Sequence, residues 1–244
     1  MHLREDCYGP DHPQVASSLN HLGLVLRDLG RPAQARPLHE RALRIYEANY
    51  GPDHPEVAIS LDHLGLVVRD LGEPARARPL LERALRIDEA HYGPDHRHVA
   101  TNLNHLGLVV RDLGEPAQAR SLLERALRIR EDYYGPDHPK VATSLDYLGL
   151  VVRDLRELAR ARPLLERALR IREAGYGPGH PRVAISLDYL GLVVRDLGES
   201  AQARSLFERA LHIYEASYGL DHPATRQSLH WIQELDGIET KGGL

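Results

Sequence analysis

The stretch Tyr50-Gly51-Pro52-Asp53-His54-Pro55 returns along the chain in versions beginning at Tyr8, Tyr50, Tyr92, Tyr134, Tyr176 and Tyr218, each start 42 residues after the last. A fixed period of that length, with no insertion in five full copies, dictates a stack of one supersecondary unit in place of a closed globule. Such an array has no single core and grows by adding neighbours, so its length sets no domain count.

Two amphipathic helices fit inside each period. In the second unit Asp53 is an expected N-cap, Pro55 suits the first turn, and Glu56 stands three residues after the aspartate as in a capping box. Leu61, Leu64, Gly65, Val68 and Leu71 then follow the helical apolar spacing, and Gly72 ends this helix A. A glycine inside a helix costs about 1 kcal/mol against alanine. Its return at Gly23, Gly65, Gly107, Gly149 and Gly191 therefore implies close approach of a second backbone. Helix B opens at Glu73-Pro74 and carries Ala77, Leu80, Leu81, Ala84, Leu85 and Ile87, with Pro79 in its early turns. The fourth unit departs from the pattern, because Arg156 stands where a left-handed glycine cap is expected.

Met1 to Cys7 align with the end of a helix B and are expected to be the remnant of a preceding unit, or the start of a fragment of a longer array. Five helix-pair repeats fill residues 8–217. Residues 218–235 read as a capping helix that shields the last apolar face through Leu229, Trp231 and Ile232, and residues 236–244 as a disordered tail.

Charge narrows the function classes. A net charge of -4 gives no basic field for a phosphate backbone, so nucleic acid is not an expected partner. No apolar run approaches the ~18 residues of a membrane span, and the lone Cys7 fits a reducing, cytoplasmic compartment. Fifteen histidines invite a metal reading. However, His12, His54, His96, His138, His180 and His222 recur once per unit without zinc-ligand spacing, and structural capping or packing is the expected role. No nucleophile with its base, no phosphate loop and no catalytic carboxylate pair stands out, so neither an enzyme nor a cofactor is expected.

Leu-x-x-Leu-Gly in helix A, Ala-x-x-x-Leu-x-x-Ala-Leu in helix B and the Gly-Pro-Asp-His-Pro linker at this period resemble the tetratricopeptide repeat, in particular the kinesin light chain variety. The resemblance extends from Tyr8 to Leu235. It implies an all-α solenoid of antiparallel helix pairs, a right-handed superhelix whose A helices line a concave groove that holds a segment of another protein. Where the family often carries two asparagines, this chain has Asn20-His21, Asp62-His63, Asn104-His105, Asp146-Tyr147 and Asp188-Tyr189.

With the apolar stripe of helix A buried, Ile59, Asp62, His63, Leu66, Arg69 and Asp70 are expected to lie on an open face. Stacking then predicts parallel rows. Leu24, Leu66, Leu108, Leu150 and Leu192 form an apolar centre, with Arg27, Arg69, Arg111, Arg153 and Arg195 on one flank and Asp28, Asp70, Asp112, Asp154 and Asp196 on the other. The charged rows read either as the edges of a peptide seat or as an ion-pair ladder between repeats, worth about 0.2–1 kcal/mol per exposed pair. Protonation of His21, His63 and His105 would add positive charge to the N-terminal half of the face. The function read from the chain is a peptide-binding or protein-binding module. Its rivals are a regulatory segment of a larger signalling protein and a scaffold that self-associates through its N-terminal end.

Overall fold

The computed structural model describes residues 7–242, with side chains described to residue 236. All but Cys7 of the expected remnant of a preceding helix at residues 1–7 therefore lies outside the described residues, as do the last two positions of the tail. Eleven helices with defined bounds follow one another, and no strand occurs among the described residues. The A-type helices are α1 (Pro13–Asp28), α3 (Pro55–Asp70), α5 (Arg97–Asp112), α7 (Pro139–Asp154), α9 (Pro181–Asp196) and α11 (Pro223–Gly242). The B-type helices are α2 (Pro32–Tyr50), α4 (Pro74–Tyr92), α6 (Pro116–Tyr134), α8 (Leu158–Tyr176) and α10 (Ser200–Tyr218).

Each A-type helix starts one residue later than the aspartate cap requires. His54 is the N-cap of α3, in extended conformation, and its Nδ1 accepts the Glu56 amide at 3.2 Å. The linker turn carries Asp53 past the helix mouth and swings the imidazole over it, where Tyr50 packs on the ring at 4.5 Å. The same bond is made at His12, His96, His138, His180 and His222. At the other end, Gly72 (φ 79°) donates to Arg69 and Glu73 donates to Val68, the paired bonds of a Schellman cap.

The central glycines do bring helices together, but what comes close is a side chain. A Cβ on Gly65 would meet Leu81 at 2.8 Å, and Gly107 and Gly149 stand likewise over Leu123 and Leu165. His39 replaces that leucine under Gly23, and Phe207 replaces it under Gly191.

The chain divides into two compact units, Met1–Ile129 and Arg130–Leu244. In the first, α1 to α5 pack each on the next, and α3 also touches α1 and α5. Val15, Leu19, Ile45, Val57, Leu61 and Ile87 belong to one buried cluster there. In the second, α7 to α11 pack successively, and α7 touches α9. Its final helix covers Phe207 with Trp231 (ring centres 5.3 Å apart) and buries Ile232 and Leu235, whereas Leu229 stays exposed. Helix α11 also runs past Leu235, the boundary expected from the loss of periodicity, to Gly242.

Arg156 holds a left-handed φ of 62° while making the two cap bonds that its glycine counterparts make. A Cβ in that region costs roughly 1–2 kcal/mol, part of which glycine returns through a freer unfolded chain. Arg156→Gly is therefore expected to stabilise the protein by about 0.5–1 kcal/mol. Urea unfolding checks this, and an unchanged or lower midpoint would mean that the arginine sits in its cap without strain.

Candidate functional site

An A-type helix is buried on more sides than one. Because α3 contacts α1 and α5 as well as the B-type helices, the face left open by a single helix pair is closed by neighbouring A helices. Leu66, Leu108, Leu150 and Leu192 are buried, so the exposed apolar centre expected of them does not exist; Leu24, on α1, is half-buried. Asn20, Asp62, Asn104, Asp146 and Asp188 are also interior. What reaches the surface is a narrower stripe. In Met1–Ile129 it is His21, His63 and His105 with Ile59 and Thr101, and in Arg130–Leu244 it is Tyr147 and Tyr189 with Thr143 and Ile185.

The charged rows meet each other instead of flanking a strip. Arg27 Nε lies 2.5 Å from Asp70, Arg69 2.5 Å from Asp112, and Arg153 2.7 Å from Asp196, each arginine reaching the next A helix. Arg195 finds Glu234 of α11 at 2.8 Å, which ends the ladder; Arg111 is half-buried on α5. A second ladder joins B-type helices, with Arg83 to Glu47, Arg125 to Glu89 and Arg167 to Glu131 all at 2.7 Å.

Beneath the stripe runs a column of buried polar contacts that differs at every junction. Asn20 donates to Ser60 at 2.9 Å and bonds His39 Nδ1 at 2.9 Å. Burial tends to raise the pKa of Asp62, yet His105, whose Nδ1 lies 2.7 Å from it, brings the net shift below the usual carboxylate range. Asp146 is pushed up to about 6 by burial, moderated by Arg172 at 2.6 Å. Asp188, which accepts Ser228 Oγ at 3.0 Å, is pushed up to about 8 by burial. Burial likewise holds His63 below the ordinary histidine range, so the expected row of protonated imidazoles would not charge uniformly.

The B-type residues that complete this column, Tyr46, Asp88, Arg130, Arg172 and Tyr214, escaped the sequence reading. Their signal was present: one position in an otherwise repetitive helix changes its chemistry from unit to unit. Among the described residues no group of three His, Cys, Asp or Glu side chains is placed to hold a metal ion. No described helix is long and apolar enough to cross a membrane.

The family model of the tetratricopeptide repeat matches residues 2–48, 14–90, 98–174 and 148–216. Among solved structures, a Podosopora anserina protein described as a putative kinesin light chain with nearly identical TPR-like repeats is similar at 22% identity and TM-score 0.64, covering 85% of this chain and 98% of that one. BtubC (BKLC) from P. vanneervenii is similar at 23% identity and TM-score 0.67, over 86% of this chain and 84% of that chain. A thermophilic TPR protein of Thermus thermophilus is similar at 24% identity and TM-score 0.59, over 88% and 98% respectively. At these identities the likeness concerns the fold. A search of curated proteins finds no match.

Two pH dependences of opposite sign follow from the buried column. His39 is fully buried against Gly23 and faces His63 and Arg27; burial first, then those two charges, lowers it to about 4. Its folded pKa lies below the unfolded ~6.5, so the stability it contributes is present above pH 6.5 and lost as pH falls towards 4. Relative to wild type, His39→Leu should gain up to about 3 kcal/mol between pH 7.5 and 4. Asp188, facing Tyr214, Tyr189 and Ser228, is raised, so stability is lost as pH rises from about 4 towards 8. Asp188→Asn should then stabilise more at pH 8 than at pH 5. Parallel pH profiles of unfolding free energy for wild type and either variant would refute the corresponding assignment.

Proposed function

This chain belongs to the tetratricopeptide repeat family, a fold of protein–protein interaction modules, and from that premise we propose that it binds a peptide or protein segment in a groove lined by its A-type helices. The observation that carries the reading is the half-buried stripe. On helices largely buried or tied into ion ladders, His63, Thr101, Tyr147 and Ile185 keep part of their side chains at the surface to meet a partner. Tyrosine and histidine give such a stripe apolar area and hydrogen-bonding capacity at little entropic cost, and the self-neutralised ladders beside it add orientation more than affinity. No catalytic step is part of this reading, and the partner is a polypeptide.

Partner capture from cell extract followed by affinity measurement tests it. The double variant Tyr147→Ala, Tyr189→Ala should bind the captured partner at least about tenfold more weakly. Exchange of the exposed B-helix residues Arg128 and Arg170 for alanine should leave affinity unchanged. The reverse pattern would move the site to the B-type helices. Leu108→Asp is not a usable probe, because that leucine is buried and the change would unfold its surroundings.

A second reading, self-association, has its own observation. Leu22 and Val25 of α1 and its C-cap Leu29 are 40%, 54% and 56% exposed, whereas Leu64 and Val67, the counterparts of the first two one period on, are buried. A measured mass equal to one chain across a hundredfold concentration range would exclude it.

A further inference from the structure

Two buried acids, Asp62 and Asp88, line the junction of α4 with α3 and α5, where the counterpart in Arg130–Leu244 is filled by the chain's own cation. There, buried Asp146 receives Arg172, Nη2 to Oδ2 at 2.6 Å, and the same guanidinium donates to the Arg182 carbonyl and lies 3.5 Å from Thr143 Oγ1. Two periods earlier these positions are Asp62, Asp88, His98 and Ile59. The arginine has become a second carboxylate.

This exchange stands out within its column, since Tyr46, Arg130, Arg172 and Tyr214 each bring a hydrogen-bond donor to the junction and an ionised Asp88 brings acceptors only. Asp88 is 4% exposed, and Asn102 Nδ2 donates to its Oδ2 at 2.8 Å. Its buried Oδ1 has no partner. Burial first, then nearby Asp62, pushes the Asp88 carboxyl up to about 6, the electrostatic signature of a site short of positive charge. His105 supplies one hydrogen bond to Asp62 Oδ1 and none to Asp88. An orphaned buried carboxylate oxygen is costly, and one cation between the two acids would satisfy both.

We propose that this junction forms a pocket for a guanidinium group, the side chain of an arginine in the partner segment. The register with the other unit supplies the acceptors: the Asp62 carboxylate, the Asp88 carboxylate and the carbonyl of His98, which matches the one that Arg172 uses. A planar group with five donors suits two carboxylates and a carbonyl better than the point charge of a lysine does. The absence of three converging His, Cys, Asp or Glu donors among the described residues sets it apart from a metal site. His63 and His105, half-buried members of the stripe, stand next to Asp62, so the proposed pocket would open where the partner is proposed to lie, and this inference rests on that reading.

A small probe tests the pocket without any partner. Nα-acetyl-arginine amide, titrated into uniformly 15N-labelled full chain at pH 7.5, should produce saturable amide shifts at Asp62, Asp88 and Asn102. The neutral isostere Nα-acetyl-citrulline amide should bind at least about tenfold more weakly. Asp88→Arg, which places in the chain the cation that Arg172 provides in the other unit, should abolish the response. Should that variant fail to fold, isosteric Asp88→Asn carries the comparison, with a loss of about tenfold or more in probe affinity. No saturable shift in wild type, or equal responses to arginine and citrulline, would overturn the pocket while leaving stripe binding untouched. A probe response combined with partner affinity indifferent to Tyr147 and Tyr189 would overturn stripe binding and leave the pocket standing.

Discussion

A B-helix side chain lies in the space that a Cβ on the central glycine of helix A would fill, and the spacing within each helix pair depends on that contact. With Leu81 2.8 Å from a hypothetical Cβ on Gly65, alanine there would force the helices apart or displace a fully buried leucine. The contact recurs once per period. Small residues on both sides, such as buried Ala58 and Ala84, let the next unit approach with the same offset. Where the inserted side chain changes, to His39 or Phe207, its neighbours change as well: His39 bonds Asn20, and Phe207 meets Trp231 of the terminal helix.

Once the offset is fixed, charges fall into register across units, and this decides what the surface can recognise. An arginine that reaches the following helix at 2.5–2.8 Å does so again 42 residues later, so most charge on these faces is neutralised internally. Helix α11 ends two such series, Glu234 taking Arg195 and Asp236 taking Arg204. Each pair is half-exposed and individually weak, but a ladder locks rotation of one helix against the next at many points. Selectivity is then left to the narrow stripe and to the chemistry of the column beneath it.

Much of the fold was legible in the sequence because its determinants are local or periodic. The helix bounds followed from Pro55, Gly72 and the apolar spacing, and the strained turn at Arg156 followed from one missing glycine. The errors share a cause. A helical wheel built from one helix pair assigns Leu66 and Asp62 to an open face, since it contains no information about the A helices 42 residues away that cover them. Capping by the linker histidines was legible, but the cap of α3 falls on His54 and not on Asp53: capping preference favours the aspartate, whereas turn geometry chose the imidazole and a tyrosine to pack on it. Some positions vary among near-identical units. In Asp88, Arg172 and Tyr214 the variation is interior.

That interior variation answers a difficulty intrinsic to repeated sequence. Units whose apolar surfaces are nearly interchangeable can pair in the wrong order with little loss of buried area, because Val57, Val99, Val141 and Val183 are the same residue in the same place. Polar contacts are less forgiving. Arg172 matched to an asparagine at the place of Asp146 would bury a cation without its carboxylate, and Asp188 matched to an arginine would be drawn to ionise where burial now favours its neutral form. Each mismatch costs several kcal/mol by the usual measure of a broken buried pair, roughly 3–5 kcal/mol. The cost falls on misordered stacking and spares the native one. At the Asp62 and Asp88 junction the native order itself leaves a buried carboxylate oxygen unsatisfied. A term that opposes folding at such a place is the energetic form expected of a binding site within a scaffold.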